Sequence, residues 1–159
     1  MSQKPIKRSP QLVKLSRDHH FGLLLAWKIR QGIRFEVAAP RITVFVLETF
    51  RKEVEPHFQQ EENCIFSLLP PDDALRLQAE KEHVWLRTQS VELEHDMSYE
   101  RLSAFADFLD AHIRFEERQL FNYIEEKSSQ EQLMQAERCV AAMPQPQAEN
   151  WADEFWVKK

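Results

Sequence analysis

Glycine is nearly absent, with two among 159 residues, while the eight prolines fall mostly where helices would begin or end. That balance favours an all-helical chain with short connections. Cysteine is scarce too. Cys64 and Cys139 form no close metal motif, and in a cytosolic chain two thiols are expected free rather than bridged. Positive charge is not in excess: 21 basic residues against 26 acidic ones give a net charge of -5, without the basic stripe that nucleic acid or an anionic membrane would need. No apolar run approaches the roughly 20 residues of a membrane span. The opening MSQKPIKRSPQ lacks the apolar segment of a secretory signal, so a cytoplasmic protein is expected.

What is present fits a soluble globular domain, at 43% hydrophobic and 30% charged residues. The length suits one domain with a real core. Ser9 and Pro10 open a first helix that should fade near Gly32. Pro40 opens a second, which Pro70 and Pro71 stop after Leu69. Pro56 is expected to kink that second helix just before His57. Asp72 or Asp73 caps a third that reaches about His95, and Ser98 caps a fourth that ends near Lys127. Ser128 with Glu131 fits a capping box for a short fifth helix to Met143. The expected architecture is all-α: an up-and-down four-helix bundle with a short C-terminal helix over residues 1–143, then a tail over 144–159.

Each long segment carries an apolar stripe at three- and four-residue steps. Ionisable residues interrupt all four stripes. The first reads Leu12, Leu15, His19, Leu23, Ala26; the second Phe50, Val54, His57, Glu61, Ile65; the third Ala79, His83, Leu86, Ser90; the fourth Leu109, His112, Glu116, Leu120. His57 with Glu61, and His112 with Glu116, stand four apart and therefore share a helix face, about 6 Å along the axis from one another. Counting residues from each turn of an up-and-down bundle puts all six polar residues in one slab.

A buried carboxylate without a partner costs several kcal/mol. No Lys or Arg occupies these stripes at that level, which leaves a cation from solution to compensate Glu61 and Glu116. Four imidazoles and two carboxylates suit a pair of borderline divalent metals, with the carboxylates able to bridge. Iron is the first expectation, with zinc and manganese as alternatives. His20 competes with His19 for the first position but lies on a more polar stripe.

The stretches LSRDHHFGLLLAWKIR, HFQQEENCIFSLLP, EKEHVWLR and HIRFEERQLFNYIEE, in that order, resemble the hemerythrin-like HHE cation-binding family across roughly residues 10–127. The resemblance implies a non-haem di-iron centre ligated by His19, His57, Glu61, His83, His112 and Glu116, with both glutamates bridging and an oxo, hydroxo or water ligand between the irons. Oxygen-carrying hemerythrins of invertebrates have a second histidine four residues along the third helix, where this chain has Arg87, and an aspartate five residues after the fourth-helix histidine, where this chain has Glu116 at four. The closer likeness is to bacterial HHE proteins with redox, nitric-oxide-related, iron-handling or sensing roles.

The expected function is a di-iron protein that binds, senses or reacts with oxygen, nitric oxide or peroxide, or handles iron. Two alternatives stand beside it: a di-iron oxidase or reductase, and a metal-stabilised interaction module that uses the aromatic tail to hold a protein partner. Glu62 and Glu117 are expected at the surface or behind the ligands, Cys64 as a buried inert thiol, and His95 as a solvated residue at a helix end. Leu23, Ile65 and Phe115 are expected to limit water access. Trp151, Phe155 and Trp156 are expected to dock over a bundle groove.

Overall fold

The computed structural model describes residues 7–148 and 150–158; Met1 to Ile6, Glu149 and Lys159, which fall within the expected domain boundaries, lie outside the described residues. The described residues are helical with no strand. A single 3-10 turn, Pro10–Leu12, leads into α1, Val13–Arg34. The second long run is α2, Ala39–Thr49, and α3, Glu55–Gln60, joined and followed by π-helical turns Phe50–Val54 and Glu61–Ile65 and a last 3-10 turn, Phe66–Leu68. The third is α4, Ala74–His95. The fourth is α5, Tyr99–Phe115, the π-helical turn Glu116–Leu120 and α6, Phe121–Lys127, after which α7 spans Gln130–Ala142.

Side-chain caps open three of the seven α-helices among the described residues. Asp73, not Asp72, accepts from the backbone N–H groups of Leu75 and Arg76, and Ser98 accepts from Arg101. The capping box of α7 is shifted by one residue from expectation: Ser129 and Gln132 form it instead of Ser128 and Glu131. Helix α1 ends near Gly32, as expected. Its last residue is Arg34, and it closes with paired bonds from Val37 N–H to Gly32 C=O and from Glu36 N–H to Ile33 C=O, with Glu36 left-handed at φ 55°. Gly32 serves packing, because a Cβ there would meet Ile42 Cδ1 at 2.8 Å and the Phe155 ring at 2.9 Å.

Helix α1 packs along α5, and α4 lies against α5 and α2. The apolar core divides into two clusters. One holds Leu25, Ile29, Ile42, Leu86, Phe105 and Leu109; the other holds Leu15, Ile65, Phe66, Leu120, Phe121 and Ile124. Buried polar residues from all four long runs lie between them. In the tail, Phe155 and Trp156 are buried and meet Phe45 with ring centroids 5.4 and 5.1 Å away, so the aromatic tail does dock on the helices. Trp27, in contrast, is 47% exposed and packs no core.

Two expectations change at the second run. In place of a kink at Pro56, just before His57, the deviation is a π-helical turn that ends two residues earlier, at Val54. Proline has no N–H for the carbonyl four residues back, that of Lys52, and the Lys52 carbonyl instead accepts from Gln147 N–H at 3.0 Å. Cys64 and Cys139, expected free, form a disulfide with Cα atoms 5.7 Å apart. Helix α7 folds back onto the Glu61–Ile65 turn, and this brings together sulfurs whose residues are 75 positions apart in sequence.

Candidate metal centre

His19, His57, Glu61, His83, His112 and Glu116 meet in the middle of the molecule, none more than 6% exposed. His20 is exposed on the outside of α1, which resolves the choice between the two adjacent histidines by burial. The six form two overlapping groups. His19 and His57 share Glu61 and Glu116 with His83 and His112, and within each group one ligand atom per residue lies within 4.8 Å of the others. Oε2 of Glu61 is 3.2 Å from Nε2 of both His19 and His57, while its Oε1 is 3.3 Å from His83 Nε2. One carboxylate thus faces both groups. Glu116 places Oε1 3.1 Å from His19 Nε2 and 3.0 Å from His112 Nε2.

The outer nitrogen of each of the four rings is paired with a carboxylate. His57 Nδ1 lies 3.1 Å from Asp18, His83 Nδ1 2.8 Å from Glu62, His112 Nδ1 2.7 Å from Glu82, and His19 Nδ1 3.0 Å from Glu117. The pairs run in a circle, since each long run lends one carboxylate to the histidine of the next and the fourth lends Glu117 back to the first. Three of these carboxylates are themselves braced. Lys14 binds Asp18 at 2.7 Å, Arg87 binds Glu62 at 2.7 and 3.0 Å, and Arg8 binds Glu117 at 2.8 Å. An Nδ1–H donated to a carboxylate fixes the tautomer that leaves Nε2 free and directs it inward.

Sequence reasoning placed Glu62 and Glu117 at the surface or behind the ligands, and the structure finds them behind the ligands. It gave no role to Asp18 or Glu82, although the signal existed. Asp18 and Glu82 each directly precede an inner histidine, and Glu62 and Glu117 each directly follow an inner glutamate. A one-residue step turns a helix by about 100°, from the centre toward the flank of a neighbour.

His19 Nε2 is paired with Glu61 Oε2 and Glu116 Oε1, but the other polar atoms at the centre are not satisfied by one another. Nε2 of His57, His83 and His112, with Oε1 of Glu61 and Oε2 of Glu116, are buried without a hydrogen-bond partner. Distances of 3.0–3.3 Å separate those nitrogens from the nearest carboxylate oxygens, but the alignment of a hydrogen bond is missing. Buried polar groups left this way are costly unless something else binds them. Inward-facing imidazole nitrogen and carboxylate oxygen form a donor set suited to a borderline divalent cation.

Charge at the site follows from the same contacts. Burial disfavours the His112 imidazolium, yet the Glu116 carboxylate and the hydrogen bond to Glu82 overcome it and hold its pKa up at about 9. His19 and His57 also titrate above the ordinary value despite burial, His19 chiefly through Glu116 and Glu117 and His57 through Glu61 and Asp18. Burial would push the Glu61 carboxyl up, but His57, His19 and His83 hold it well below the usual range.

A cavity of about 50 Å³ opens onto His19, His57 and His112. Its apolar wall includes Leu25, Val54, Phe58, Leu109 and Ile113. The His83 side is closed, with Phe58 stacked on the imidazole at 3.7 Å and Phe66 at 5.3 Å. Next to the cavity a Cβ on Gly22 would lie 2.5 Å from Ile113 Cδ1, so the bare backbone of Gly22 is what gives Ile113 its place.

No curated protein and no solved structure matches the chain. Residues 27–124, which hold five of the six central residues and begin after His19, match the hemerythrin HHE cation binding domain. The match covers more than half of the chain, and this protein belongs to that cation-binding family.

Proposed function

We propose that this chain is an up-and-down four-helix bundle holding two iron ions, one among His19 and His57, the other among His83 and His112, with Glu61 and Glu116 shared between them. The observation that carries the reading is the set of three buried, unpartnered Nε2 atoms turned toward two carboxylates that each face both histidine pairs. Reduced iron with open positions binds small diatomic molecules or peroxide and exchanges electrons with them. The chain's own residues fix the imidazoles through Asp18, Glu62, Glu82 and Glu117, exclude water with Phe58 and Phe66, and leave a cavity beside His19 and His57.

That cavity favours oxygen, nitric oxide or peroxide as the ligand. His19, His57 and His112 lie at its inner end and its walls are largely apolar, so a small uncharged molecule can reach the centre through it. The role we propose is sensing or small-molecule redox chemistry, in the cytoplasm.

The test is metal analysis of protein purified without chelator, with absorption spectra before and after anaerobic reduction. About two irons per chain and near-ultraviolet absorption that bleaches on reduction and changes with nitric oxide support the proposal. Protein that takes up no iron, or binds it equally well after His57→Ala and Glu116→Ala, overturns it.

A further inference from the structure

Of all the residues lining the cavity, Pro146 alone comes from outside the four long helical runs. It belongs to a short stretch, Met143 to Gln147, that is fastened at several points. Pro144 C=O accepts from Gln60 Nε2 at 3.1 Å, and Gln60, fully buried, accepts in turn from Lys14 Nζ at 2.8 Å. Gln147 N–H donates to the Lys52 carbonyl at 3.0 Å. Gln145 turns back to the carbonyls of Val140 and Met143, closing the end of α7. Upstream, the Cys64–Cys139 disulfide ties α7 to the turn that begins with Glu61, and Met143 Sδ lies 3.5 Å from Cys64 Sγ. Downstream, Phe155 and Trp156 are packed on Phe45.

We propose that Pro144 to Gln147 is a cap that restricts entry to the cavity to ligands about the size of a diatomic molecule or hydrogen peroxide, and that the Cys64–Cys139 disulfide holds the cap in place. The size-selection half of this proposal rests on the di-iron reading above; the tether does not. Two prolines fix φ on either side of Gln145, so the stretch moves as a stiff unit about its attachments rather than bending open locally. With the disulfide intact, α7 is joined covalently to the helical run that carries His57 and Glu61, and the stretch starts two residues past α7. Reduction removes that join. A dithiol passes two electrons and two protons to the disulfide, is itself oxidised to a disulfide, and leaves Cys64 and Cys139 as thiols. Cys139 is only partly buried, which gives a reductant a point of attack. In a reducing compartment a disulfide of this kind reports the thiol state of its surroundings. The cap thereby links that state to which molecules reach His19 and His57.

The experiment compares the full-length protein with its disulfide intact, the same protein after treatment with a dithiol, and the variants Cys139→Ser and Pro146→Gly. The first readout needs no metal: amide hydrogen exchange at Gln147. In the reduced protein and in Cys139→Ser this amide is expected to exchange about tenfold faster than in the oxidised protein, as a locally opened segment does. The second readout is the rate at which hydrogen peroxide and cumene hydroperoxide oxidise the reduced iron-loaded centre. Each peroxide accepts two electrons and two protons and leaves as water with its alcohol, or as two waters. The bulky peroxide is expected to gain about tenfold on reduction of the disulfide and in both variants, in proportion to the open fraction, while hydrogen peroxide changes little. Unchanged exchange at Gln147 overturns the tether. Faster exchange with an unchanged ratio of the two peroxide rates overturns size selection. Failure of the protein to bind redox-active iron overturns the di-iron reading and size selection with it, whereas Gln147 exchange still decides the tether.

Discussion

Glu62 accepts a hydrogen bond from His83 Nδ1 at 2.8 Å, while its chain neighbour Glu61 lies 3.3 Å from Nε2 of the same ring. Two adjacent residues of one π-helical turn thus face the two edges of one imidazole, and only Glu62 is hydrogen-bonded to it. Glu62→Gln should weaken iron binding about 10- to 100-fold, the usual cost of losing a carboxylate behind a metal-bound histidine, and Arg87→Ala should act in the same direction through Glu62. His95→Ala should change nothing, because His95 is exposed at the end of α4. Competition titration against a chelator of known affinity measures all three. Equal affinity for Glu62→Gln and the parent would remove Glu62 from the site.

The metal-free protein should lose stability as the pH rises above neutrality. His112 has a folded pKa of about 9 against an ordinary 6.5, so its charged form is favoured by folding. The sign follows directly: the contribution is complete below 6.5 and disappears as the pH rises through about 9, and it is on the order of 3 kcal/mol. Glu61 acts oppositely, contributing above its ordinary 4.5 and losing that contribution as the pH falls through its lowered folded value. Denaturant titrations of metal-free protein at pH 6.5 and pH 9 provide the check.

Metal uptake should release protons over the same window. His112, His19 and His57 hold protons in the metal-free protein that a ligating imidazole must give up. Affinity should therefore rise between pH 6.5 and 9. Calorimetry in two buffers of different ionisation enthalpy counts the protons, and no difference between the buffers would contradict the protonated state.

Cys139→Ser should lower the unfolding free energy under non-reducing conditions by about 4 kcal/mol, the loop-closure value for 75 residues. A dithiol should destabilise the parent protein by the same amount and leave the variant unaffected. Identical denaturation midpoints for the parent and the variant would show that the thiols are not joined in solution.

Gly22→Ala should cost about 1–3 kcal/mol, because the added methyl would lie 2.5 Å from Ile113 Cδ1 and Ile113 must turn away. Ile113 lines the cavity, so nitric oxide should enter the iron-loaded variant more slowly. Adding Ile113→Val should recover part of both losses. Stopped-flow binding and denaturant titration separate the two effects, and no change in either would mean that the contact relaxes at no cost.

The residues at the centre were legible because helical periodicity is a local property. A pair such as His57 and Glu61, four apart on a stripe of Val54 and Ile65, faces inward whatever the helix packs against. Caps at Asp73 and Ser98 were legible for the same reason, since a side chain two or three residues from a free N–H satisfies it locally. The choice of Ser129 over Ser128 was not, because both stand where a cap fits and the path of the chain from α6 decides between them.

Local pattern gave no warning of the π-helical turns that begin at Phe50, Glu61 and Glu116. Each adds a residue to one turn and rotates the helix beyond it, and two of them start at the shared glutamates themselves. The carboxylate ring was half visible: adjacency to the central residues could mark Asp18 and Glu82, but which histidine each would hold depends on which helices become neighbours.

By itself the sequence determined four amphipathic helices and the six polar residues that interrupt their buried stripes, because spacing along a helix fixes direction without reference to anything else. Only the tertiary structure decided that Cys64 meets Cys139, that each long helical run supplies a carboxylate to the next, and that Pro146 closes the wall of the cavity. Those relationships join residues tens of positions apart, and their distances are set by how helices pack and where the chain returns, quantities that no window of sequence contains.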